Sequence, residues 1–100
     1  MEQETQNDSV ERMVEIRNKE GLHMRPAMQF VDGANGFEST IRVYKGDECV
    51  DGKSIMQMTM LAAGEGTQLK LTATGRDARQ AIDALTRIIE SPETPETTDK

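Results

Sequence analysis

Residues 68–90 read Gln68-Leu69-Lys70-Leu71-Thr72-Ala73-Thr74-Gly75-Arg76-Asp77-Ala78-Arg79-Gln80-Ala81-Ile82-Asp83-Ala84-Leu85-Thr86-Arg87-Ile88-Ile89-Glu90, and their hydrophobic period changes part-way. Up to Thr74 the period is two. Leu69, Leu71 and Ala73 fall on one side and Lys70, Thr72 and Thr74 on the other, the pattern of a strand buried on one face. From Ala78 onward the apolar residues Ala78, Ala81, Ile82, Leu85, Ile88 and Ile89 form one continuous stripe of a helix, which asks for a sheet to dock on. Gly75-Arg76-Asp77 separates the two, and Asp77 with Gln80 three residues on reads as a capping box. A one-faced strand followed by a one-striped helix implies two layers, sheet and helix.

Working outward, the turn Gly64-Glu65-Gly66 precedes that strand. Before it lies a short helix, Ser54 to about Ala62, with Ser54 as N-cap and apolar residues on more than one face: Ile55, Met56, Met58, Met60 and Leu61. Thr40–Lys45 alternates, Lys45-Gly46-Asp47 supplies a turn, and Glu48–Asp51 follows, so 40–51 is read as a β-hairpin. Met24, Ala27, Met28, Val31 and Ala34 recur at helical spacing in a first helix that stops near Asn35-Gly36. Met13–Arg17 alternates as a first strand with Val14 and Ile16 inward. The order βαββαβα predicts an α+β fold: a two-layer open-faced sandwich with a four-stranded antiparallel sheet, three helices on one face and the other face open to solvent.

One hundred residues allow one small domain. Residues 1–11 are read as a flexible acidic N-terminal tail, 12–90 as the folded domain and 91–100 as a flexible tail rich in Pro, Thr and Glu, since neither end has the apolar content to offset ordering entropy. A net charge of −6 and three aromatic residues argue against nucleic acid or an anionic membrane as partner. With no apolar run of membrane-spanning length or signal-peptide pattern, a cytoplasmic protein is expected. The single cysteine, Cys49, excludes an intrachain disulfide and a thiolate metal cluster; it reads as a packed strand residue. No metal-ligand spacing, ATP-binding loop or Ser-His-Asp arrangement is present, so no metal or cofactor is expected.

Against that background the single histidine, His23, stands out within Gly21-Leu22-His23-Met24-Arg25-Pro26-Ala27. Pro26 suits the first turn of a helix, where its missing N–H is not needed. His23 is thereby placed at a helix N-terminus, where backbone N–H groups and the helix dipole favour an anion. Arg25 adds planar donors suited to phosphate. Ser54 is first of all a helix cap, and second a candidate regulatory phosphoserine, because a phosphate is tolerated at a helix start. Seven methionines are a high count; Met24, Ile55 and Met56 are the candidates for an exposed partner-binding surface.

The GLHMRPA run around His23, the VDGKSIM run from Val50 to Met56, and the element order closely resemble the HPr family, the histidine-containing phosphocarriers of the bacterial phosphoenolpyruvate-dependent sugar phosphotransferase system. The resemblance covers about residues 12–90. It implies that His23 takes a phosphoryl group on Nδ1 from Enzyme I and passes it to enzyme IIA components, with Arg25 stabilising the phosphate. It also implies that Ser54 is the site of an ATP-dependent HPr kinase/phosphorylase, with a regulatory protein as a further partner, and that Ile55 and Met56 lie on the contact surface. The chain is then a relay carrier and not an enzyme, without cofactor, and is expected to be a monomer. Met24 stands where a smaller residue is frequent, which bears on partner preference, and both tails exceed the minimal family domain. A regulatory module for carbon or nitrogen control governed by Ser54, and a βαββαβα domain without phosphoryl chemistry, are the alternatives to a phosphocarrier.

Overall fold

The structure, a computed structural model, describes residues 8–90. Four strands and three helices follow in the order β1 Ser9–Glu15, α1 Met24–Ala34, β2 Thr40–Lys45, β3 Glu48–Asp51, α2 Ile55–Thr59, β4 Gln68–Thr74 and α3 Ala78–Glu90. The strands form one sheet in the order β1-β4-β2-β3 with every neighbouring pair antiparallel. This is the expected α+β open-faced sandwich.

Strand β4 lies between β1 and β2, and its alternation organises the two layers. Leu69, Leu71 and Ala73 are buried, while Lys70 and Thr72 point the other way beside β2 and β1 partners. Val14 and Ile16, Ile41 and Val43 complete the apolar side of the sheet, and the α3 stripe Ala78, Ala81, Ile82, Leu85 and Ile89 closes over it. From α1 come Ala27, Phe30, Val31 and Ala34, and from the α2 region Met58, Leu61 and Ala63. Each large apolar side chain so enclosed contributes about 1.5–3 kcal/mol. Helix α3 packs on β1, β4 and α1, whereas α2 packs on α1 and β3.

Several details differ from the expectations. Strand β1 begins at Ser9, not Met13, so residues 9–11 belong to the sheet and not to an N-terminal tail; the remaining tail residues 1–7 and 91–100 lie outside the described residues. Its seven residues pair in register with all of β4, from Ser9 opposite Thr74 to Glu15 opposite Gln68. Arg12 hid this in the sequence, for it sits at an inward-facing position and donates to Oδ1 of Asp83 at 2.9 Å and Oγ1 of Thr86 at 3.4 Å on α3.

Helix α1 buries Ala27, Phe30 and Val31, leaving Met24 and Met28 outward, 56% and 48% exposed. Helix α2 is shorter than expected, five residues, and Ala62 lies beyond it at φ 54°. Cys49 is on β3 as expected, yet exposed on the open face. There it stands opposite Tyr44, whose ring has the Lys70 ammonium 4.9 Å from its centroid. A hydrogen bond with the Cys49 thiol pushes the Tyr44 phenol above its ordinary pKa. Asp77 does not build the expected capping box: its carboxylate accepts from the N–H of Glu38 and from the N–H and hydroxyl of Ser39 instead. The β2–β3 turn is as expected, with Gly46 at φ 58°, the positive value that the first position of a two-residue hairpin turn of the II′ kind gives to glycine.

Candidate functional site

His23 is the N-cap residue of α1, with extended backbone at φ −83° and ψ −169°. Its carbonyl accepts the first helical bond from the N–H of Ala27 at 3.0 Å, and its side chain makes no capping bond. Pro26, at the third helical position and buried, brings no N–H to the helix start. The backbone N–H groups of Met24 and Arg25 therefore stand there with the positive end of the dipole.

The two ring nitrogens of His23 are inequivalent. Nε2 is shielded from solvent and lies 3.5 Å from Oε1 of Glu20, while the side chain as a whole keeps 34% of its exposure. The exposed part of the ring is thus on its other atoms. Glu20 was not singled out from the sequence, although its i,i+3 spacing to the histidine was a usable signal. Arg25, exposed, sits two residues along on the first turn of α1.

The loop that leads into His23 is set by close packing. Gly21 has φ 77°, and a Cβ there would come 2.6 Å from the carbonyl oxygen of Ala63 and 2.9 Å from Cα of Gly64. That same Ala63 oxygen accepts the N–H of Leu22 at 2.8 Å. Only glycine fits both the left-handed backbone and the gap.

Ser54 is the N-cap of α2, its hydroxyl accepting from the N–H of Gln57 at 3.2 Å. The preceding segment is fastened to the end of α1: Asn35 Nδ2 donates to the carbonyls of Val31 at 2.9 Å and Lys53 at 3.4 Å, and Lys53 Nζ donates to the carbonyl of Phe37 at 2.7 Å. His23 and Ser54 consequently sit at opposite ends of α1, an 11-residue helix about 16 Å long. Ile55 and Met56 follow Ser54 with 37% and 70% exposure, Met60 at the end of α2 is 70% exposed, and Met58 between them is fully buried. The three methionines of this short segment therefore divide, one into the core and two outward. Among the described residues no helix is long and apolar enough to cross a membrane.

The PTS-HPr family, described as "PTS HPr component phosphorylation site", matches residues 10–91. The chain belongs to the HPr family. Among its relatives is phosphocarrier protein HPr of Neisseria meningitidis, 46% identical over 76 residues that cover 76% of this chain and 85% of the relative. The crystal structure of HPr from Bacillus anthracis superposes with a TM-score of 0.80 at 38% identity, covering 84% of this chain and all of the other. Crh of Bacillus subtilis, described as a catabolite repression protein with a swapping domain and a dimer, has a TM-score of 0.65 at 40% identity, covering 80% and 92%. The fold is that of the HPr structures, and the chain is an HPr-family phosphocarrier of the phosphotransferase system.

Proposed function

We propose that His23 accepts a phosphoryl group on Nδ1 from phosphorylated Enzyme I and passes it to enzyme IIA components, the chain acting as a cytoplasmic monomer. The observation that carries this reading is the inequivalence of the ring nitrogens: Nε2 is shielded and faces Glu20, and the ring is partly exposed at a helix start. In transfer, the Nδ1 lone pair attacks phosphorus in line with the donor phosphohistidine. The new P–N bond forms as the donor P–N bond breaks, and the electron pair returns to the donor imidazole. Glu20 beside Nε2 favours the charge that the ring gains on phosphorylation. Arg25 and the N–H groups of the first turn neutralise the phosphoryl oxygens.

Met24, Ile55 and Met56 form the contact surface in this reading, with Met28 and Met60 added by their exposure. Such a surface suits brief encounters with successive partners. The test is incubation with Enzyme I and phosphoenolpyruvate. One acid-labile phosphoryl group per chain is expected, and its persistence in His23→Ala would refute the assignment.

A second reading, a regulatory module governed by phosphorylation of Ser54 by an HPr kinase/phosphorylase, draws support from the likeness to Crh and from the exposed start of α2. A phosphate there adds about −2 charges beside Ile55 and Met56. Labelling by the kinase and ATP, lost in Ser54→Ala, with no labelling of His23 by Enzyme I, favours this reading over the first.

A further inference from the structure

We propose that Lys45 is a positioning residue for the phosphoryl acceptor, setting His23 through the turn at residues 61–63; the proposal rests on the relay reading of His23. Helix α2 ends at Thr59 and the chain must reverse toward β4. It does so through Ala62 at φ 54°, the one non-glycine residue with positive φ among those described. A residue with a Cβ is strained in that conformation, and persists there where its surroundings over-determine it.

Lys45 supplies that constraint. From the end of β2 its Nζ donates to the carbonyl of Leu61 at 3.2 Å and to that of Ala62 at 3.1 Å. The ammonium thus holds the two carbonyls that bracket the strained residue. A cation is also favoured there, because carbonyl oxygens gather beyond a helix C-terminus.

The turn so held directs the next carbonyl, that of Ala63, onto the loop before α1. Leu22 donates its N–H to it at 2.8 Å and Gly21 packs against it with no room for a Cβ. Leu61, Ala63 and Leu22 are all buried, at 1%, 4% and 8% exposure, so the contact is dry and tightly packed. Displacement of the turn is passed to Leu22 instead of being absorbed by solvent. His23 is the next residue along, and a misplacement of about 1 Å at a reacting group costs on the order of 100-fold in rate.

The experiment compares Lys45→Met, which keeps the stem and loses the donors, with Lys45→Arg, in wild-type and Ala62→Gly backgrounds. Lys45→Gln takes the place of Lys45→Met if the latter does not fold. Expected for Lys45→Met is a kcat for phosphoryl acceptance from Enzyme I lowered roughly ten-fold with KM unchanged, and faster exchange of the Leu22 amide. Lys45→Arg restores most of both. In Ala62→Gly the loss shrinks to roughly three-fold, since glycine adopts the left-handed conformation without the clamp. A wild-type kcat in Lys45→Met, an effect confined to KM, or an equal loss in the Ala62→Gly background overturns the proposal. Failure of the wild-type protein to accept any phosphoryl group refutes the relay reading instead, and unchanged Leu22 exchange in Lys45→Met then still overturns the clamp.

Discussion

The hydroxyl of Ser39 donates to Oδ1 of Asp77 across 2.6 Å, joining the start of β2 to the start of α3 over 38 residues of sequence. The N–H of Ser39 reaches the same oxygen at 3.0 Å and the N–H of Glu38 reaches Oδ2 at 2.9 Å. Ser39 is 1% exposed, so its polar groups have no water to turn to. Replacing Asp77 by Ala is expected to cost about 1–3 kcal/mol in urea unfolding at neutral pH.

The same contact sets a pH dependence. The Ser39 hydroxyl, followed by the Glu38 N–H, holds the Asp77 carboxyl below its ordinary pKa, against a smaller upward pull from desolvation. A folded value below the unfolded one means that the stabilisation is complete above the unfolded value, near pH 4, and is lost as pH falls toward the folded one. Urea midpoints measured from about pH 5 downward should fall more steeply for the wild type than for Asp77→Asn. Parallel profiles for the two proteins would contradict this.

Gly21→Ala should destabilise by about 2 kcal/mol or more, because the new Cβ meets strain and a clash together. The obstacle is backbone, the Ala63 oxygen at 2.6 Å, and cannot swing aside. Thermal unfolding reads the loss of stability, and phosphoryl acceptance at His23 should fall with it even at temperatures where the variant is folded.

Met56 and Met58 offer a contrast within one short helix. Met58→Ala removes a fully buried side chain and should cost about 2–5 kcal/mol. Met56, 70% exposed, should change stability by less than about 0.5 kcal/mol on truncation. Its cost should appear as a raised KM for Enzyme I, measured by transfer kinetics.

Arg25→Ala should slow acceptance at His23 by roughly 10–100-fold while unfolding stays within about 0.5 kcal/mol of wild type. Arg25→Lys, a point charge without the planar fork, should recover part of the rate. Equal rates for all three proteins would remove Arg25 from the mechanism.

Ser54→Ala deletes the bond to Gln57 N–H at 3.2 Å and should cost about 1 kcal/mol. Since Ser54 lies at the far end of α1 from His23, histidine phosphorylation in this variant should keep its wild-type kcat, as a single-turnover assay would report.

Much of the architecture was legible because it is written in local periodicity. The alternation of 68–74 and the stripe of 78–90 named a strand and a helix with the right buried residues, and Gly46 and Ser54 marked a turn and a cap through backbone chemistry confined to a few residues. What escaped depended on partners far along the chain. Arg12 disguised β1 because an arginine at an inward position is acceptable only when α3 supplies Asp83 and Thr86. Met28 fits a helical stripe as well as Phe30 does, and the docking of α1 was needed to choose which side is covered. Asp77 had the spacing of a capping box, yet Ser39 and Glu38 compete for the same carboxylate and win it.

At the site the division is similar. Local preferences suffice to put His23 at a helix start with Arg25 and Pro26 on the first turn, since they act within four residues. Three further features exist only once the layers have packed: the shielded side of the imidazole, the position of Ser54 at the other end of α1, and the Ala63 carbonyl, held through Lys45, that sets the residue before the histidine. Hydrogen bonds between segments well separated in sequence leave no periodic trace in the chain, because their partners meet only when sheet and helices come together.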